Sequence, residues 1–136
     1  MNLTPSSVLV IEQHPLMREA LYAAITGEPE FIVAAQAVNY REVLDMVVAI
    51  RPDVVLLAFK PDIILFSLGS PWLQELETVK ALRGYLPDTA ILVLTVVGME
   101  EQTKAALDAG AQVVLSKSTP RNELICALRK LRPARR

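Results

Sequence analysis

Val54-Val55-Leu56-Leu57-Ala58-Phe59-Lys60 is the stretch on which the reading of this chain turns. Val54 to Ala58 is an unbroken apolar run set off by the breaker pair Arg51-Pro52. A run of that length, rich in Val, suits a strand buried on both faces. Such strands occupy the middle of parallel sheets, and in open α/β sheets chemistry sits just past their carboxyl ends. At that edge stand Ala58, Phe59 and Lys60. Ala58 has no functional group, so the position where a reacting side chain belongs holds nothing that can react.

Working outward, Val8-Leu9-Val10-Ile11 is a second apolar run and the first strand in chain order. It stops at Glu12-Gln13-His14-Pro15, where proline suits the first turn of a helix. Met17, Ala20, Leu21, Ala24 and Ile25 then share one helical face, and Gly27 supplies the stop. Phe31–Ala35 reads as a strand. Asn39 and Glu42 have capping-box spacing, opening a helix that buries Val43, Met46, Val47 and Ile50 and ends at Pro52. Downstream, Ser70-Pro71 opens a helix burying Trp72, Leu76, Val79 and Leu82, with Pro87 as terminator. Ile91–Leu94 is a strand ending at Thr95, and Glu100–Ala109 a helix closed by Gly110. Val113–Leu115 is a strand ending at Ser116-Lys117. Thr119-Pro120 opens a last helix burying Leu124, Ala127, Leu128 and Leu131. Five strands alternating with five helices predict a parallel sheet with helices on both faces.

Composition bounds the rest. The chain has 136 residues, 52% of them hydrophobic, which suits one domain with a sizeable core. A net charge of −1 gives no overall electrostatic case for nucleic acid. The basic end, with Arg129, Lys130, Arg132, Arg135 and Arg136, reads as a solvated helix end followed by a tail or linker from 132 to 136, leaving 1–131 as the domain. Cys126 is the single cysteine and, among Leu124, Ile125, Ala127 and Leu128, reads as a buried inert thiol. No apolar run approaches about 18 residues and no leader pattern opens the chain, so a cytoplasmic protein without a membrane partner is expected.

The predicted sheet gathers Glu12-Gln13, Ala58, Thr95 and Ser116-Lys117 on one edge. The text around them, Val-Leu-Val-Ile-Glu-Gln-His-Pro at 8–15, Arg-Pro-Asp-Val-Val-Leu-Leu-Ala at 51–58, Ile-Leu-Val-Leu-Thr at 91–95 and Leu-Ser-Lys-Ser-Thr-Pro at 115–120, resembles the receiver domain of bacterial two-component response regulators. The likeness is to those joined to helix-turn-helix outputs, and it runs from Val8 to Leu131. It implies a flavodoxin-like, doubly wound sheet in the order 2-1-3-4-5.

The resemblance also implies roles. In the family, two acidic residues after the first strand help hold magnesium, and an aspartate ending the third accepts a phosphoryl group from a histidine kinase. A Thr or Ser and a Lys contact that group. Thr95 and Lys117 match. Glu12 is a longer acid than usual, Gln13 has lost the charge, and Ala58 replaces the acceptor. Val114 stands where an aromatic switch residue is often found. A hard cation wants several oxygen ligands, and Glu12 alone is a poor set. A degenerate receiver is therefore expected: no enzyme, no cofactor and no metal. It would act without phosphorylation through a protein partner or second copy, and would reach DNA only through an output domain outside these residues.

The remaining expectations follow from that frame. Lys117 and Glu12 should pair across the degenerate site. His14 is a structural residue at a helix start. Asp53 falls at the opposite edge and Asp62 in a loop, so neither replaces the acceptor. Pro61–Ser70 is long for a strand-to-helix connection. Its residues Ile63, Ile64, Leu65, Phe66 and Leu68 either fold over the domain or form a candidate docking surface. Two rival readings stand beside this one: an ordinary phosphoacceptor carrying an engineered Asp-to-Ala change at position 58, and a small flavodoxin-like ligand binder or enzyme. The second is disfavoured because no glycine-rich phosphate loop follows the first strand.

Overall fold

The computed structural model describes residues 4–38, 42–43, 48–50, 55–57, 61–69, 72–96 and 100–133. The strands are β1 (Ser6–Ile11), β2 (Phe31–Ala37), β3 (Val48–Ile50), β4 (Val55–Leu57), β5 (Ile63–Ser67), β6 (Ala90–Thr95) and β7 (Val113–Ser116). The described helices are α1 (Pro15–Thr26), α2 (Trp72–Tyr85), α3 (Glu100–Ala109) and α4 (Arg121–Lys130). Five strands form one parallel sheet in the order β2-β1-β5-β6-β7, the flavodoxin-like order expected.

The central strand is not the one the sequence singled out. Val55–Leu57 pairs antiparallel with Val48–Ile50 in a separate two-stranded sheet. The middle of the main sheet is Ile63–Ser67, paired with β1 on one side and β6 on the other. Val48–Ile50 is strand, so the helix expected to run through Ile50 does not; Asn39, Met46 and Val47 lie outside the described residues. Four helices are described where five were expected.

Why the second run takes the centre is visible at its start. The Asp62 and Ser7 main chains and side chains clasp each other. Ser7 donates to Asp62 Oδ2 from its amide at 2.9 Å and its hydroxyl at 3.3 Å, and the Asp62 amide donates to Ser7 Oγ at 2.9 Å. Thr89 Oγ1 donates to the Pro61 carbonyl at 2.9 Å, tying the same point to β6. These bonds fix the register of β5 between its neighbours.

Along β5, alternate side chains feed two cores, as a pleat requires. Ile63 and Leu65 join Val8, Val10, Leu21, Ile25 and Leu128 on the α1/α4 side. Ile64 and Phe66 join Leu9, Ile11, Val79, Leu82 and Val93 on the α2/α3 side. Ile63, Ile64, Leu65 and Phe66 are all 0% exposed and Leu68 is 2% exposed. The expected docking loop is thus the core strand itself, and it offers no surface to a partner. Val114 packs half-buried against the α2/α3 core.

Three smaller expectations change. Cys126 is exposed, because Leu124, Ile125 and Leu128 set the buried stripe of α4 and Cys126 falls off it. Thr119 does not cap α4: Pro120 stands at the cap and no side chain bonds there. The basic end is not simply solvated. Arg129 pairs with Glu28 and Glu30, and Arg132 donates to Ser6 Oγ at 3.0 Å while its guanidinium lies over the Phe31 ring. At the other end of the molecule, Arg83 of α2 donates to the carbonyls of Thr89 and Gly110, joining α2 to β6 and to the end of α3. Gly110 has φ +120, which a side chain would strain.

Candidate functional site

The carboxyl ends of β1, β5, β6 and β7 meet at one edge, held in step by their backbone ladder. Glu12 N–H donates to the Ala37 carbonyl, Leu68 N–H to Leu94 and Lys117 N–H to Thr95. The edge therefore presents Glu12 and Gln13 after β1, Ser67 at the end of β5, Thr95 at the end of β6, and Ser116-Lys117 from β7. Ser67 holds the place that the sequence reading gave to Ala58, a residue outside the described set. Asp62 marks the start of β5, at the opposite edge from Ser67. Its clasp on Ser7 is structural.

Ser67 and Thr95 are buried, and Ser67 Oγ makes no hydrogen bond. Glu12 is buried too. Its Oε1 accepts from the His14 amide at 3.1 Å, while Oε2 has no partner. The His14 side chain is exposed and its backbone caps α1, the structural part expected of it. The expected Glu12–Lys117 ion pair is not formed.

What stands near Lys117 instead is Glu75, which sequence reasoning passed over. Glu75 lies in the first turn of α2 and is 2% exposed. The Gly69 amide donates to both of its carboxylate oxygens, at 3.0 and 3.2 Å, and Gln13 Nε2 donates to Oε2 at 3.0 Å. Gly69 leaves the room for this: a β-carbon there would stand 2.9 Å from the Gln13 side-chain amide. Burial pushes the Glu75 carboxyl above its ordinary range; the Gly69 hydrogen bond and the charge of Lys117 pull it down, and Glu12 adds to the rise. A signal was present in the sequence, since Glu75 is three residues after Trp72 and four before Val79, on the buried stripe.

This donor set does not suit magnesium. Such a site wants several oxygens on a hard cation, usually carboxylates with water. Here Glu12 offers one unpartnered oxygen, Ser67 a hydroxyl, and Glu75 is already bonded to Gly69 and Gln13. Among the described residues no group of three or more His, Cys, Asp or Glu is placed to hold a metal. Nor is any described helix long and apolar enough to cross a membrane.

Comparison with known proteins agrees with this fold. The chain is 29% identical over 127 residues to the nitrate/nitrite response regulator protein NarL of Escherichia coli (strain K12), covering 93% of this chain and 55% of that protein. It is 30% identical over 131 residues to the uncharacterized transcriptional regulatory protein YxjL of Bacillus subtilis (strain 168), covering 95% and 55%. It thus spans about half the length of these relatives. The signal receiver domain of the putative response regulator NarL from Mycobacterium tuberculosis superposes with a TM-score of 0.76 at 24% identity, covering 93% of this chain and 95% of that one. The family model described as the response regulator receiver domain matches residues 8–129. The strand order and the length of that match agree, and the chain belongs to the response regulator receiver domain family.

Proposed function

We propose that this receiver domain signals without accepting a phosphoryl group, acting as an interaction module toward a protein partner or a second copy of itself. We further propose that it regulates transcription through an output domain outside these residues. The observation that carries the reading is Ser67, a buried hydroxyl at the end of the central strand where an acceptor carboxylate would stand. An acyl phosphate needs a carboxylate, and serine has none.

Glu75 strengthens the case. Its carboxylate already occupies the Gly69 amide and the Gln13 amide and lies in the field of Lys117. An arriving phosphoryl group would meet a resident negative charge beside Lys117. Like charges in a poorly solvated site repel strongly. The transcriptional reading rests on the relatives, one of which is named as a transcriptional regulatory protein, and on the chain spanning about half of their length. For a partner, Leu16 at the first turn of α1 and Val96 just past β6 leave apolar surface exposed beside the edge.

Incubation with acetyl phosphate and magnesium, read by intact mass, tests the proposal. An unchanged mass is expected. Gain of one phosphoryl group would overturn it.

A further inference from the structure

Between α1 and α4, just below the sheet edge, lies a half-open cavity of about 160 Å³. Its walls are apolar: Leu21 and Ala24 from α1, Leu94 from β6 and Leu124 from α4. Two cations border it, Lys117 from the end of β7 and Arg121 from the first residue of α4, with the Ser116 and Thr119 residues beside them. Neither cation has an ion pair or a side-chain hydrogen bond among the described residues, although Lys117 also acts through space on Glu75. The Arg121 guanidinium extends back over α1, to within 2.7 Å of where a β-carbon on Gly27 would stand.

From this juxtaposition we propose that the cavity is a binding site for a small monocarboxylate with a compact apolar body, of the aryl or short branched aliphatic kind. Size and charge both point there. A protein cavity of about 150 Å³ lined by aliphatic and aromatic side chains holds a benzene ring. Here the same volume is bordered by two cations, and carboxylate is an anion that guanidinium and ammonium groups recognise by charge-assisted hydrogen bonds. A nucleotide is too large for it, since drug-sized ligands take about 300 Å³ or more. A bare inorganic anion would leave the apolar walls unfilled. The site rests on the cavity alone, so it stands or falls separately from the phosphorylation-independent reading.

Benzoate is the probe, titrated against the whole chain and followed by amide chemical shifts, with sodium chloride at matched ionic strength as blank. Saturable shifts centred on Leu21, Ala24 and Leu124 are expected, with Kd of about 1 mM or tighter for a ligand of this size. Benzyl alcohol, which keeps the ring and loses the charge, should bind at least about tenfold more weakly. The same loss is expected for benzoate in the double variant Lys117→Ala, Arg121→Ala. Shifts that do not saturate by about 10 mM, or benzyl alcohol binding as well as benzoate to the unaltered chain, would overturn the proposal. So would undiminished benzoate binding in a folded double variant.

Discussion

Pro52-Asp53-Val54-Val55-Leu56-Leu57 and Pro61-Asp62-Ile63-Ile64-Leu65-Phe66 share a proline, an aspartate and four apolar residues in a row. Only the second lies in the main sheet; Val55–Leu57 of the first forms one side of a two-stranded antiparallel pair. What holds the second run in the main sheet is visible at its ends. Asp62 clasps Ser7 and Pro61 accepts from Thr89, so the second run is fixed at its start to both neighbours. At its far end only Leu68 to Pro71 separates it from α2, a connection of ordinary length. Its Ile and Phe side chains also bury more apolar area than Val, which adds to the gain from occupying the centre.

That contrast can be broken by substitution. Leu65→Ala opens a hole in a position that is fully buried, and should cost about 2–5 kcal/mol in urea unfolding. A loss below about 1 kcal/mol would mean that β5 is not the centre of the sheet. Asp62→Ala tests the clasp. It removes the acceptor of the Ser7 amide and hydroxyl and should cost about 1–3 kcal/mol. A neutral result would show that register is set elsewhere.

A smaller effect sharpens the comparison at the carboxyl end of β5, where Gly69 holds Glu75. The Glu75 carboxyl is raised above its ordinary value of 4.5, chiefly by burial. Folding therefore favours its protonated form. Its contribution to stability is full below the unfolded value and is lost as pH rises through the folded one. Glu75→Gln should flatten this fall and stabilise the fold at pH 8 by about 1 kcal/mol or less. Thermal unfolding from pH 4 to pH 8 reads it; a variant whose stability falls as steeply as the unaltered chain's would show that Glu75 is not the group responsible.

Much of this architecture was legible in the residues. β1, β2, β6 and β7, with α1 and α3, follow from continuous apolar runs, helical spacing and Gly or Pro stops. The edge residues Glu12, Thr95 and Lys117 followed once those strands were placed. The central strand did not, because hydrophobic pattern cannot rank two adjacent runs of the same kind. What holds the second in place is tertiary: the partners of Asp62 and Pro61 are 55 and 28 residues away. One local sign did favour the second run, since taking the first as the strand left an apolar connection from Pro61 to Ser70. Glu75 was hidden for another reason. A carboxylate on a helix ordinarily faces water, and only the Gly69 and Gln13 donors explain its burial.

The placement that decides the chemistry of this edge is Ser67 at the carboxyl end of the central strand. Its most direct test is intact mass after acetyl phosphate and magnesium on three forms: the unaltered chain, Ser67→Asp and Ala58→Asp. A phosphoryl group is expected on Ser67→Asp alone, gained slowly because Gln13 is neutral and Glu75 occupies the Gly69 amide. A phosphoryl group on Ala58→Asp with none on Ser67→Asp would contradict it.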